Sequence, residues 1–262
     1  LMSDNGSSSE GGPTGTLNES ASWLGDHATV EEALANIDEI GGPNHTNHYP
    51  WGWAWAGNTP LKRFKRDTNE GGVCDPMIIH WPKGIGTPGE TRHQYVHAID
   101  LKPTLLELIG IQAPRMMKGV EQAPIEGTSF AYSLKDGAAP SQHTTQYYEM
   151  MGSRAIYRDG WKAVVYHPPL MANYEDRALS SRSFEDDIWE LYNVANDFSE
   201  CHDVSAQYPE KLLELKELWW EEAQRNQVLP LNNQPGRYGD RRWTRDRYVY
   251  HAGIASIPET TA

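Results

Sequence analysis

The stretch that most restricts the fold is Arg154 to Tyr166, where two short strand-like runs, Arg154 to Arg158 and Trp161 to Tyr166, are separated only by Asp159-Gly160. A two-residue Asp-Gly link supplies the positive φ angles of a type I′ turn and joins neighbouring antiparallel strands. Thr145 to Met150 precedes this pair as a third strand, and Trp189 to Tyr192 adds a fourth. Pro209 to Gln224 then carries Leu212, Leu215, Leu218, Trp219 and Ala223 at helical spacing. The pattern predicts a small antiparallel sheet with a packed helix over residues 116–224, followed by an aperiodic extended tail over 225–262.

Residues 1–115 have a different grain. Leu1-Met2-Ser3 has the character of a strand end, and the Gly, Ser and Asn density from Ser3 to Glu19 predicts a long loop leaving it. Thr29 and Glu32 form a capping-box pattern ahead of Val30, Ala33, Leu34, Ile37 and Ile40, with Gly41-Gly42-Pro43 as the stop, so a helix is predicted there. Asn44 to Thr68 has no period and is predicted to be irregular, held by burial of Tyr49, Trp51, Trp53 and Trp55. Met77 to Trp81 is a short apolar run suited to a buried strand. Asp100 is placed to cap a helix with Pro103 in its first turn, Leu101, Leu105, Leu108 and Ile109 inward and Gly110 as its end. Strand followed by helix is the α/β signature.

Charge narrows the function classes. A net charge of −13 and a pI near 5.2 would repel a phosphate backbone, which excludes nucleic acid as an expected partner despite the arginines between Arg237 and Arg247. No apolar run is long enough to span a membrane. Cys74 and Cys201 are too few for a disulfide framework. No leader is visible, but the chain opens on Leu1 rather than Met, so localisation stays open.

Two motifs carry candidate chemistry. Asp4-Asn5-Gly6 sets a carboxylate beside an amide oxygen at a strand end, the hard-ligand type that Ca²⁺ and Mg²⁺ take, and also ordinary turn chemistry. Lys65 and Arg66 precede Glu70-Gly71-Gly72 and could clamp a tetrahedral oxyanion or form a solvated basic surface. His45 and His48 lie three residues apart in a predicted loop with no evident third metal ligand. His48 either lines a substrate entrance or packs structurally. The tryptophans Trp51, Trp53 and Trp55 offer a stacking platform or the core of a folded loop.

In this order the motifs resemble those of sulfatases, which place an Asp-Asn-Gly after a strand, then a lysine ahead of a Glu-Gly-Gly that leads to a strand and a Trp-Pro turn. Here these are Asp4-Asn5-Gly6, Lys65, Glu70-Gly71-Gly72 and Ile78-Ile79-His80-Trp81-Pro82. Asn47-His48-Tyr49-Pro50, Gly52-Trp53-Ala54, Arg92-His93-Gln94, Gly152-Ser153-Arg154, Gly160-Trp161-Lys162 and Trp189-Glu190-Leu191-Tyr192 extend the likeness, in particular to one bacterial arylsulfatase branch.

The resemblance implies a sulfatase or alkaline-phosphatase-like α/β domain, of which residues 1–115 are the C-terminal portion. It further implies hydrolysis of sulfate esters by a formylglycine nucleophile with Ca²⁺ as cofactor. Asp4 and Asn5 would ligate calcium, Asp4 would also help activate the nucleophile, and Lys65 would bind a sulfate oxygen. The formylglycine motif, Cys/Ser-x-Pro-x-Arg, does not occur. Cys74-Asp75-Pro76-Met77-Ile78 begins like it but ends in Ile78 where arginine is required, and Cys74 itself stands at the structural position after Glu-Gly-Gly-Val where the family usually has an arginine. The nucleophile and the remaining calcium carboxylates are therefore expected in a missing N-terminal part of the same protein. The chain is expected to be inactive alone. Alternatives are a phosphate or phosphonate ester hydrolase on the same scaffold, and a non-catalytic glycan-binding accessory module.

Overall fold

The computed structural model describes residues 1–3, 5–23, 28–87, 89–168 and 182–232. Asp4, the arginines from Arg237 to Arg247 and most of the predicted tail lie outside the described residues.

The C-terminal half follows its hydrophobic pattern closely. Strands β1 (Thr145–Met150), β2 (Ser153–Arg158), β3 (Trp161–Val165) and β4 (Glu190–Asn193) form one antiparallel sheet in chain order. Arg158 pairs with Trp161 across the predicted turn. Asp159 and Gly160 adopt φ of 48° and 82°, the left-handed values that this two-residue link demands.

Side chains alternate between two covered faces. Ile156, Ala163, Val165 and Leu191 point to the long helix Pro209–Arg225, whose Leu215, Trp219 and Ala223 complete the main core. The Trp219 indole N–H also donates to the Tyr148 carbonyl at 3.0 Å, so the largest buried ring leaves no orphan donor. Ala155, Val164 and Tyr192 form a second apolar cluster on the opposite face. Lys162 is also buried, one residue out of step with the main core. The predicted tail begins attached to this unit, because Val228 packs into the main core and its N–H donates to Ala223.

Residues 1–111 are built from short pieces: helices α1 (Glu19–Trp23), α2 (Val30–Ala35), α3 (Trp51–Asn58), α4 (Glu70–Val73) and α5 (Leu101–Leu108). The capping box of α2 forms, with Thr29 N–H donating to Glu32 at 2.8 Å and Glu32 N–H donating to the Thr29 hydroxyl at 3.2 Å. The helix is shorter than its apolar pattern, since α2 ends at Ala35 with Asn36 as its cap, a 3-10 turn over Ile37–Glu39 follows, and Gly41, with φ of 81°, comes only after that turn.

Other expectations need correction. The apolar side of α2 faces solvent, with Val30, Leu34, Ile37 and Ile40 exposed, because nothing among the described residues lies over it. The run Asn44 to Thr68 contains a helix, α3. Its rings are not all buried: Trp53 is 70% exposed and Trp55 47%, while Ala54 takes the interior position. Met77 to Trp81 forms only a fragment of ladder. Leu1 and Ile78 exchange backbone bonds at 2.7 and 2.8 Å, Met2 bridges Met77, and Ile78, Ile79 and Trp81 remain exposed without a second neighbour. On α5 the buried residue is Thr104, while Leu105 and Ile109 point outward.

Asp100 is not a side-chain cap of α5 either. It accepts from the N–H groups of His97 at 2.8 Å and Thr128 at 2.7 Å and pairs with His143, tying α5 to the base of the sheet. Burial would raise its pKa, but the bonds from His143, His97 and Thr128 outweigh this and hold the carboxyl below its usual range. His143 is correspondingly raised, first by its bond to Asp100.

Candidate functional site

Two glycines bring the candidate motifs together. A Cβ on Gly6 would lie 2.0 Å from the Gly71 carbonyl oxygen, and one on Gly71 would lie 2.2 Å from that of Arg63. Only glycine allows these backbones to approach so closely. Asn58, the last residue of α3, fastens the crossing: its Oδ1 accepts from Ser7 N–H at 3.0 Å and its amide donates to the Arg63 and Gly71 carbonyls. Lys65 N–H donates to the Ser7 carbonyl at 3.0 Å, two residues beyond Asn5. The loop after Leu1-Met2-Ser3 and the loop before Glu70-Gly71-Gly72 are thus one structure, as their joint presence in the sequence suggested.

Glu10 is the electrostatic centre of that structure. Its buried carboxylate accepts from Lys65 Nζ at 3.0 Å, from the Arg66 guanidinium and from the Ser8 hydroxyl. Burial raises its pKa, yet Arg66 and Lys65 together win and keep it below the usual carboxylate range. Arg66 is largely buried and Lys65 about one-third exposed, so the arginine neutralises the carboxylate from inside while the lysine stays at the surface. Arg66 holds a left-handed backbone, φ 81°, which this non-glycine residue adopts at a cost.

His48 sits beside Glu10. Its Nδ1 lies 3.4 Å from the Ser8 hydroxyl and its Nε2 3.3 Å from the Glu19 carboxylate, while its backbone pairs with Thr16. Ligand atoms of Glu10, Glu19 and His48 all fall within 4.8 Å of one another, a cluster that leaves out His45 and so gives the His45/His48 pair no third ligand. It does not make a convincing cation site, because Glu10 already faces two cations that would repel a third. The side chain of His45 is also remote from this role: it lies 3.8 Å from Glu39.

Calcium requires about six to eight oxygen ligands. Asn5 offers an amide oxygen of suitable chemistry on an exposed residue at the expected strand end, and Asp4 lies outside the described residues. The donor chemistry therefore fits part of such a site. Glu10 does not extend it.

Cys74 fits a nucleophile poorly. Partial desolvation, followed by the Glu70 charge, pushes its thiol up to about 11, leaving little thiolate at neutral pH. Lys65, Asn5 and His48 were legible as candidates. Glu10, Ser8, Asn58 and Arg66 acquire their roles only from the crossing of two loops far apart in sequence.

The family model described as "N-sulphoglucosamine sulphohydrolase, C-terminal" matches residues 62–226, and the model "Sulfatase" matches residues 1–111. An uncharacterized sulfatase of Schizosaccharomyces pombe is 28% identical over 222 residues, covering 84% of this chain and 36% of that protein. Human arylsulfatase A is 28% identical over 215 residues, covering 77% of this chain and 40% of its own length. The chain thus spans well under half the length of these relatives. Among solved structures, Ps i-CgsB aligns with a TM-score of 0.50 at 23% identity, covering 78% of this chain and 39% of its own, a likeness of fold.

Proposed function

The chain belongs to the sulfatase family, and from that premise we propose that it forms the part of an arylsulfatase that supplies a sulfate-binding lysine and a share of a calcium site. The observation that carries this reading is the Gly6–Gly71 crossing, where the Lys65 N–H bonds to Ser7 on the loop that follows Asp4-Asn5 in sequence. In this reading Lys65 binds a sulfate oxygen as a compact point charge, and Glu10 with Arg66 fixes where that charge sits. His48, tied to Ser8 and Glu19, lines the approach to the substrate.

Asp4 and Asn5 are the residues assigned to calcium, which when bound supplies Lewis-acid stabilisation of the sulfate charge. The attacking oxygen belongs to a formylglycine in the upstream part of the same polypeptide. That part also accounts for the exposed apolar faces of α2 and α5, which it would cover. The substrate is a small sulfate ester.

The test is turnover of p-nitrophenyl sulfate by the longest gene product that contains this chain, with aryl phosphate and phosphonate in parallel. Sulfate turnover is expected from the long product and none from these 262 residues alone. In the long product Lys65→Ala should lower kcat by about 10²- to 10³-fold, the usual cost of one lost oxyanion donor. A Lys65→Ala enzyme at full rate, or a preference for phosphate, would reject the assignment.

A further inference from the structure

The segment that carries Lys65 is anchored on both sides to the C-terminal sheet. Before it, Lys62 Nζ donates to Glu190 at 3.1 Å and to the Tyr192 hydroxyl at 2.7 Å, and the Arg63 guanidinium lies 3.7 Å from the centre of the Tyr166 ring. After it, Asn69 Nδ2 and the Glu70 N–H both donate to one oxygen of Glu200 at 2.9 Å. The Glu70 side chain accepts from Lys162 Nζ at 2.6 Å, and Lys162 lies 3.2 Å from the second Glu200 oxygen. Lys162 and Glu200 are each 1% exposed.

A lysine this deep in a sheet would normally be neutralised by burial, but Glu70 and Glu200 reverse that effect and raise its pKa. The arrangement leaves no slack. Removing the cation strands two carboxylates in the interior, and removing Glu200 releases the side chain of Asn69 and the backbone of Glu70 together. Between these anchors the chain holds two left-handed non-glycine residues, Arg63 at φ 63° and Arg66 at φ 81°, a shape that persists only while its ends are held.

We propose that Lys162 and Glu200, outside the candidate site itself, are positioning residues that set the register of residues 62–70 and so place the Lys65 ammonium for a sulfate oxygen. This rests on the reading of Lys65 as the sulfate lysine. The sheet is then more than a structural appendix: it determines the accuracy of the oxyanion contact.

The experiment is a double-mutant cycle in the longest gene product, with p-nitrophenyl sulfate as substrate and hydrogen exchange over residues 62–72 as a parallel readout. Lys162→Met should lower kcat/KM by about a hundredfold, the scale of a misplacement of about 1 Å, and loosen exchange protection in 62–72. Lys162→Arg should recover part of the loss. In a Lys65→Ala background Lys162→Met should change kcat/KM by less than about twofold, the scale of error for independent sites.

Losses that multiply instead of saturating, or a Lys162→Met enzyme within about twofold of the parent, would overturn the positioning role. Should Lys162→Met fail to fold, Glu200→Gln takes its place in the same cycle. It keeps an oxygen for Asn69 and Glu70 while removing the charge. A Lys65→Ala enzyme at the parental rate would instead overturn the sulfate-lysine reading and the positioning role with it. Multiplicative losses on top of a damaging Lys65→Ala overturn positioning alone.

Discussion

The two halves of the molecule are held together by different forces. In residues 145–228 the main core is apolar, with Ile156, Ala163, Leu191, Leu215, Trp219 and Ala223 each essentially inaccessible, and the ion pairs of Arg154 with Asp187 and of Lys162 with Glu200 are buried beside it. In residues 1–111 the buried apolar side chains among the described residues are Ala54 and Phe64, while Ser9, Glu10, Thr16, Asp67, Thr68, Asn69, Asp100 and Thr104 are buried and polar. The first half is specified by hydrogen bonds and ion pairs, which fix geometry but contribute little net stability each. The second is specified by area removed from water. Bulk stability thus comes mainly from the C-terminal unit, while charge is placed by polar contacts within residues 1–111 and by the Lys162 and Glu200 anchors that the C-terminal unit lends them.

The strongest way to break this contrast is through the core. Trp219→Ala removes the largest buried ring and its bond to Tyr148, and should cost about 3–5 kcal/mol in denaturant unfolding of the sheet and helix. A loss below about 1 kcal/mol would mean that the apolar half is not the stable one.

The seam between the halves should respond next. Asp100→Ala leaves the His97 and Thr128 N–H groups and the His143 ring without their acceptor, at about 1–3 kcal/mol. Its pH behaviour can be signed. The raised His143 contributes stability that is complete below its ordinary value of 6.5 and disappears as pH climbs through its higher folded pKa. The lowered Asp100 contributes stability present above 3.8 that disappears as pH falls through its lower folded pKa. Urea midpoints should therefore plateau between those two values with a limb on either side, and His143→Gln should flatten the alkaline limb. An unchanged alkaline limb would mean that the pair does not couple the halves.

The smallest effect is expected at the exposed face of α2. Leu34→Lys with Ile37→Lys should shift unfolding by less than about 0.5 kcal/mol each, since neither side chain is buried. The same change should reduce self-association of these 262 residues in size-exclusion chromatography. A substantial loss of stability would show that this face is already packed in solution.

The contrast also explains what could be read from sequence. The four strands, the Asp159-Gly160 turn and the long helix were placed to within a residue or two, because alternation, turn chemistry and helical spacing are local signals backed by burial. In residues 1–111 the start of α2 was legible, since Thr29 and Glu32 act within one turn of chain, while its end was not, because it stops at Ala35 ahead of Gly41. The facing of α2 and α5 was not legible, because an apolar stripe predicts that something covers it without saying whether that partner is at hand. Trp51 to Asn58 does not read as a helix because its tryptophans, alternating with glycine and alanine, show no amphipathic period. At the candidate site, Lys65 and Asn5 stood out by motif. Glu10 looked like one more loop residue, and Lys162 like part of an ordinary strand, because their partners lie 55 and 92 positions away.

The sheet order β1-β2-β3-β4 repeats the order of the chain, and its central turn has two residues. Such a meander closes mainly short loops, so its conformational search is brief and its contact order low. The polar half has no comparable shortcut, since Glu10 must find Lys65 and Glu70 must find Lys162 across long stretches of sequence. The C-terminal unit is therefore the natural first product of folding, a ready surface on which Lys62, Asn69 and Glu70 can settle. A polypeptide of this design would acquire its stability early and its chemical competence last.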